Sequence, residues 1–383
     1  RCYNPATRIL PRRWRMTDLK QQALDYLSRL GGNPATAFRE EGVASTVKAI
    51  LREIGAGFEQ DAFGNIIAKV PGTDPSANPL AVVAHMDHPG FEITGSHPDG
   101  HIATAMGGIP PSSFESGVPV QVLLPDGSRV NGATTGRYGE ESDRQVLIKL
   151  EQPQDLEPPL SVVFDLIDYE LDGDMIRMRA VDDLAGCGSI LAMIAQLTEG
   201  DASPGDVYGV FTRAEEVGLV GARLMADSGT LPPDTLVISA ESSRTLPGAE
   251  QGEGPVIRVG DAGFTFTADA ESVLIRARET LNERDNGFKC QRQLMSGGTC
   301  EASAFAVFGY QTTGIAFPLG NYHNGAPEGR IEAEYIHIDD YLGGVKLLTE
   351  AAHCVSDRTN TAFRQRLREV PADMRQRMLD TRG

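Results

Sequence analysis

The spacing of apolar residues changes character several times along the chain. Residues 17–30, through Leu19, Ala23, Leu24, Leu27 and Leu30, and residues 45–54 repeat at helical period. Two apolar runs follow, Ile66-Ile67-Ala68-Lys69-Val70 and Leu80-Ala81-Val82-Val83-Ala84, and continuous runs of this length predict strands buried on both faces. Between 92 and 176 the texture is different. Short alternating stretches at 118–124, 145–150 and 160–166 are separated by Pro-Asp-Gly, Gly-Gly-Ile-Pro-Pro and Asn-Gly turns, and no helical period is present. Strand and helix patterns alternate again from Asp182 to a long segment at 341–354. The pattern predicts an α/β unit over 16–91 and 177–356 and an inserted β unit over 92–176. It also predicts a charged surface helix over 357–383 and a basic extension over 1–15.

Five acidic or histidine motifs fall where strand-like runs end. His85-Met86-Asp87 follows Leu80 to Ala84, Asp182-Asp183 follows Met175 to Val181, and Glu215-Glu216 comes shortly after Val207 to Thr212. Glu241 follows Leu236 to Ala240, and Tyr322-His323 comes after Thr313 to Pro318. Open α/β sheets bind ligands outside the carboxyl ends of their strands, so one sheet edge is expected to gather all five.

A length of 383 residues allows two domains of ordinary size. The formal charge of −18 argues against a nucleic-acid partner, because such a chain repels a phosphate backbone. No run approaches the roughly 20 unbroken apolar residues of a membrane span. The start shows no apolar signal core, so a cytoplasmic location without membrane partners is expected. Five cysteines (Cys2, Cys187, Cys290, Cys300, Cys354) without a CxxC pair speak against a disulfide framework or a thiolate zinc knuckle.

Each motif has an ordinary reading when taken alone. His85 and His323 are each compatible with a satisfied core histidine, and Asp182 with a helix cap. Glu215-Glu216 is harder to explain away, because adjacent carboxylates at a strand end repel unless cations or hydrogen bonds hold them. Together the motifs hold what a two-metal hydrolytic site needs. Ions about 3.5 Å apart require a bridging carboxylate, terminal ligands on each ion and a further carboxylate to take a proton from water. The histidine at position 85 also needs an acceptor for its second ring nitrogen, and Asp87 lies two residues away.

These residues, with Arg213-Ala214-Glu215-Glu216-Val217-Gly218-Leu219-Val220-Gly221-Ala222, Gly252-Glu253-Gly254-Pro255-Val256-Ile257 and Gly297-Gly298-Thr299, resemble the signature blocks of the M42 glutamyl aminopeptidase family, the tetrahedral aminopeptidases. The resemblance implies a zinc-peptidase-like mixed sheet flanked by helices, carrying an inserted β-barrel dimerisation domain. It makes Asp182 the bridging ligand and His85, Glu216, Glu241 and His323 the remaining metal ligands. Glu215 becomes the general base acting on a metal-bridging water. It further implies removal of residues from peptide N-termini and homo-oligomers from dimer to dodecamer. The expected cofactor is a pair of divalent ions, zinc by default, with cobalt or manganese compatible with the same donors.

Four places depart from the family pattern: His88-Pro89 replaces Glu-Ile, Glu241 replaces aspartate, Cys300-Glu301 follows Gly-Gly-Thr, and Gly320-Asn321 replaces an arginine. No ligand type is lost, and the changes at His88, Cys300 and Asn321 bear on specificity. Three other readings remain. They are a two-metal amidase or deacylase with a non-peptide substrate, a glycoside hydrolase, and an inactive assembly protein. Glycoside chemistry needs carboxyl groups about 5–9 Å apart on one substrate, which adjacent Glu215 and Glu216 do not by themselves provide.

Overall fold

The computed structural model describes residues 16–382, and the arginine-rich extension 1–15, with Cys2, lies outside the described residues. Helices α1 (Met16–Gly31) and α2 (Glu41–Ile54) precede strands β1 (Gly57–Gln60), β2 (Ile66–Val70) and β3 (Leu80–His85). Six strands come next: β4 (Gly90–His97), β5 (Gly100–Met106), β6 (Ser116–Leu123), β7 (Arg129–Tyr138), β8 (Gln145–Leu150) and β9 (Leu160–Phe164). After β10 (Glu170–Asp172) and β11 (Met175–Met178), helix α3 (Val181–Glu199) leads to β12 (Val207–Thr212), α4 (Val220–Ser228), β13 (Leu236–Arg244) and β14 (Val256–Arg258). The chain continues through α5 (Ala268–Arg284), β15 (Gln291–Gln293), α6 (Glu301–Val307), β16 (Gln311–Leu319) and β17 (Glu334–His337). It ends with α7 (Ile338–Cys354), α8 (Ala362–Arg368) and α9 (Ala372–Asp380).

An eight-stranded mixed sheet runs β1-β2-β12-β3-β13-β16-β14-β15. Its centre, β12-β3-β13-β16, is parallel, which explains why β3 is buried at every position. Alternate residues of these strands serve different cores. Leu80, Val82 and Ala84 pack with residues of α1, α3 and α7, whereas Ala81 and Val83 pack with Met225 of α4 and Phe305 of α6. Helix α3 is the one helix among the described residues long and apolar enough to cross a membrane, and its apolar stretch is almost wholly buried inside the protein.

Strands β4 to β9 close a six-stranded antiparallel barrel, in the order β4-β5-β8-β7-β6-β9. Its core is a separate cluster around Phe91, Ile93, Val120, Val146, Ile148, Val162 and Phe164. The sequence pattern carried the inserted unit to residue 176, but the barrel closes at Phe164. A closed barrel has no free edge to accept another strand, and β10 and β11 pair instead with β17 on the α/β side. The charged helix expected over 357–383 is also divided, into α8 and α9. Pro371 accounts for the break, because proline disfavours helical backbone in the residue before it.

Candidate metal centre

The crevice forms where the parallel strands stop keeping pace with one another. Strand β3 ends at His85, which lies beside Thr212, the last residue of β12. Strand β13 pairs with β3 only as far as Ser239 opposite Val83, then runs on beside β16 to Arg244. Glu241 therefore lies inside a strand, not at its end as the apolar pattern suggested. Asp182 differs as well, since the strand before it, β11, belongs to the small sheet with β17 and not to the main sheet. Glu215-Glu216 follows β12 through a turn in which Ala214 has φ +52°.

These separate segments meet at one point. His85 Nε2 lies 3.3 Å from Asp182 Oδ1, 3.7 Å from Glu241 Oε1 and 3.8 Å from Glu215 Oε2. His323 Nε2 lies 3.7 Å from Asp182 Oδ2 and 3.7 Å from Glu216 Oε2. Asp182 thus presents one oxygen to each histidine.

Both rings are oriented by main-chain carbonyls. His85 Nδ1 donates to the carbonyl of Asp87 at 3.0 Å, and His323 Nδ1 donates to the carbonyl of Gly108, in the connection leaving the barrel strand β5. A carbonyl only accepts, so in a neutral imidazole the Nε2 lone pair of each ring faces the carboxylates. The acceptor for His85 is the main chain of Asp87, not its carboxylate, which stands 3.7 Å away. That carboxylate holds the Glu215-Glu216 turn instead, accepting from Glu215 N at 2.9 Å and Glu216 N at 3.1 Å. Asp183, not Asp182, supplies the helix cap, accepting from Gly186 N.

So much negative charge in so little water requires positive charge. Burial raises the pKa values of Glu215 and Glu216 far above the usual carboxylate range. Burial and the Glu241 charge push Asp182 to about 8. Burial alone would lower His85, but the charges of Glu215, Asp182, Asp87 and Glu241 outweigh it and hold the ring well above its ordinary value. Glu241 is also pushed up by burial, and His85 and Arg258 reverse this to leave it low. Asp182 Oδ1, Glu216 Oε1 and Glu241 Oε2 are buried without hydrogen-bond partners. Lone pairs and carboxylate oxygens facing one another at 3.3–3.8 Å, with orphaned oxygens among them, fit divalent cations. Among the described residues, three groups each bring their ligand atoms within 4.8 Å of one another: His85, Asp182 and Glu216; His85, Glu215 and Glu241; and Asp182, Asp183 and Glu241.

Behind this cluster lies a set of buried carboxylates that the sequence did not reveal. Glu40 accepts from Phe38 N, Ala214 N and Arg213 Nε, fixing the turn before Glu215. Glu301 accepts from the hydroxyls of Thr212 and Ser239. Glu334 accepts from the main chain of both Asp182 and His323. A glutamate is ordinarily a surface residue, and the only signal for Glu334 is its place at the head of the apolar Tyr335-Ile336 run.

The departures from the family pattern are distributed unevenly. His88 is buried between the Asp182 carbonyl and Asn324 Oδ1, at 2.7 and 2.9 Å. Asn324 Nδ2 donates to two carbonyls, so its oxygen faces the ring and both ring nitrogens meet acceptors. Burial pulls the imidazole down to about 4, whereas its hydrogen bonds favour the doubly protonated ring. Cys300 is core, its thiol pushed up by burial and packed on Asp261. Asn321 ties to Ala333. A small pocket beside Glu241 is lined by Arg244, Arg258, Met295, Thr299 and Tyr322.

Known proteins resemble this chain in sequence and in fold. The sequence profile of the M42 glutamyl aminopeptidase family matches residues 156–347. The glutamyl aminopeptidase of Lactococcus lactis subsp. cremoris is 24% identical over 367 residues, spanning 84% of this chain and 93% of the relative. The Pyrococcus horikoshii TET1 peptidase, which can assemble into a tetrahedron or a large octahedral shell, is 25% identical. Its TM-score is 0.71, over 86% of this chain and 99% of the other. A TET aminopeptidase from the archaeon Thaumarchaeota archaeon SCGC AB-539-E09 has the same fold, with 19% identity, 88% and 99% coverage and a TM-score of 0.74. The chain belongs to the M42 glutamyl aminopeptidase family.

Proposed function

We propose that the protein is a two-metal aminopeptidase that releases residues from the N-termini of peptides. The observation that carries this reading is the Asp182 carboxylate, shared between two histidines whose Nε2 atoms both face it. His85, Asp182 and Glu241 would hold one cation, and Asp182, Glu216 and His323 the other. Bound divalent ions there supply Lewis acidity toward a carbonyl oxygen and make a water more acidic. Glu215 takes the proton of the attacking water and delivers it to the leaving amine. Asp87 keeps that carboxylate in place through the Glu215 amide. Asp182 stays clear of helix capping because Asp183 does that work.

The reading extends to assembly. The barrel, packed around its own core, is the proposed dimerisation unit, and the chain is read as a homo-oligomer by analogy with the tetrahedral assemblies of its relatives.

The test is hydrolysis of free and N-blocked aminoacyl p-nitroanilides after EDTA treatment and after return of zinc, cobalt or manganese, with metal content measured in parallel. Metal-restored cleavage of the free amines alone is expected. Cleavage of the N-blocked set instead would make the protein an amidase or deacylase, and turnover indifferent to EDTA would remove the metals from the mechanism. Asp182→Ala and His323→Ala should each lower bound metal.

A further inference from the structure

Asp182 and His323 lie far apart in sequence and on different elements, yet the proposed site needs them at a fixed spacing. Glu334 joins them directly. Its side chain is fully buried at the head of β17. Oε2 accepts from Asp182 N at 2.9 Å, and Oε1 accepts from His323 N at 2.8 Å. The loop it holds is not one that the chain adopts freely, since Asn321, His323 and Asn324 all have φ between +53° and +62°. Asparagine visits left-handed backbone readily, but three such residues within four positions, His323 among them, need surrounding contacts to hold them.

We infer that Glu334 is a positioning residue: by gripping both main chains it sets the distance between the Asp182 carboxylate and the His323 imidazole, which together would hold the second ion. This rests on the two-metal reading above. A second tie runs in parallel, because His88 reaches the Asp182 carbonyl and the side chain of Asn324, next to His323. Glu334 holds the amide side of Asp182 and His88 the carbonyl side.

The chemistry of this grip is specific to a carboxylate. Backbone N–H groups are fixed donors, so glutamine at 334 would turn an N–H₂ toward one of them and leave it unsatisfied. Glu301 provides the contrast. It is equally buried under the same site, but its partners are the hydroxyls of Thr212 and Ser239, which can rotate to accept from an amide.

Wild type, E334Q and E301Q would be stripped, checked for native circular dichroism and thermal unfolding, and titrated with zinc against a chromogenic chelator. The visible spectrum of the cobalt form would be recorded beside kcat and KM. In E334Q the affinity for the second ion should fall at least about tenfold, the cobalt spectrum should change, and kcat should drop while KM stays within about threefold. E301Q should bind zinc like wild type. Wild-type affinity in E334Q, or equal losses in E334Q and E301Q, would overturn the assignment. If E334Q does not fold, E334D keeps the charge but is too short to reach both amides, and wild-type affinity there would overturn it equally. A wild type holding fewer than two ions would instead defeat the two-metal reading beneath it.

Discussion

The barrel and the carboxyl edge of the main sheet are both buried, and they are buried for opposite reasons. Phe91, Ile93, Val120, Val122, Val146, Ile148, Val162 and Phe164 fill the barrel, joined by edge-to-face contacts of Phe91 with Phe114 and Phe164. Its buried polar side chains are a few hydroxyls such as Thr134, which bonds the Glu115 carbonyl. The region at that edge instead buries His85, Asp87, Asp182, Asp183, Glu241, Glu301 and Glu334. Removing apolar area from water stabilises the first region. Crowded carboxylates destabilise the second unless cations and backbone donors offset them. A fold can carry the second only because regions like the first supply the surplus, and substitutions should separate the two.

The largest stability effect is expected in the barrel. Phe164→Ala removes a ring that is 1% exposed and stacked edge-on with Phe91 at 6.1 Å. It should cost about 3–5 kcal/mol, read from denaturant unfolding. A loss below about 1 kcal/mol would mean that the barrel relaxes around the gap and that its core is not the stabilising element it looks to be.

At the sheet edge, the sign of the stability effect should reverse. Glu215→Gln removes a carboxylate from the acidic cluster, so the metal-free protein should unfold at the same temperature or higher. Activity should fall at least about a hundredfold, or about 2.7 kcal/mol of transition-state stabilisation. A variant that keeps its metals and stays within a few-fold of wild-type turnover would take the proton-transfer role away from Glu215. A variant that loses stability would show Glu215 to be structural, and the comparison with Phe164 would fail.

Much of this contrast could be read in the sequence because it depends on short-range pattern. The apolar runs of β3 and β12 and the turn-rich texture of the barrel announce themselves by period, and His85, Asp182, Glu215, Glu216, Glu241 and His323 by their places beside such runs. The remainder depends on tertiary pairing. That Glu241 sits within a strand follows from β13 outlasting its pairing with β3, which nothing local encodes. That Glu334 and Glu40 are buried follows from backbone amides brought to them by distant segments. Asp87 shows the boundary between the two. Its nearness to His85 was legible, but the partner of its carboxylate, the Glu215-Glu216 turn, became visible only with the fold.

The smallest effect is expected where the two regions meet. Asp168, on the chain leaving the barrel, lies 2.9 Å from Arg129 of β7 and 2.6 Å from the buried Arg179 just before Asp182. Arg179 also donates to the Phe164 and Leu166 carbonyls, so one ion-pair network joins the last barrel strand to the start of the segment that carries Asp182. Burial pushes the Asp168 carboxyl up, but the two arginines outweigh it and leave its pKa below the ordinary value of 3.8. A depressed folded pKa means stability that is present above the unfolded pKa and is lost as pH falls through the folded one. Asp168→Asn should therefore cost about 1–2 kcal/mol at pH 7, since the side chain is 35% exposed and solvent screens part of the pair. Below about pH 4 the gap between variant and wild type should close, as the wild-type carboxyl gains its proton. Urea unfolding from pH 7 down to pH 3 measures this directly. A gap that keeps its size across that range would mean that the charge of Asp168 contributes nothing and that the barrel and the sheet edge are joined by packing alone.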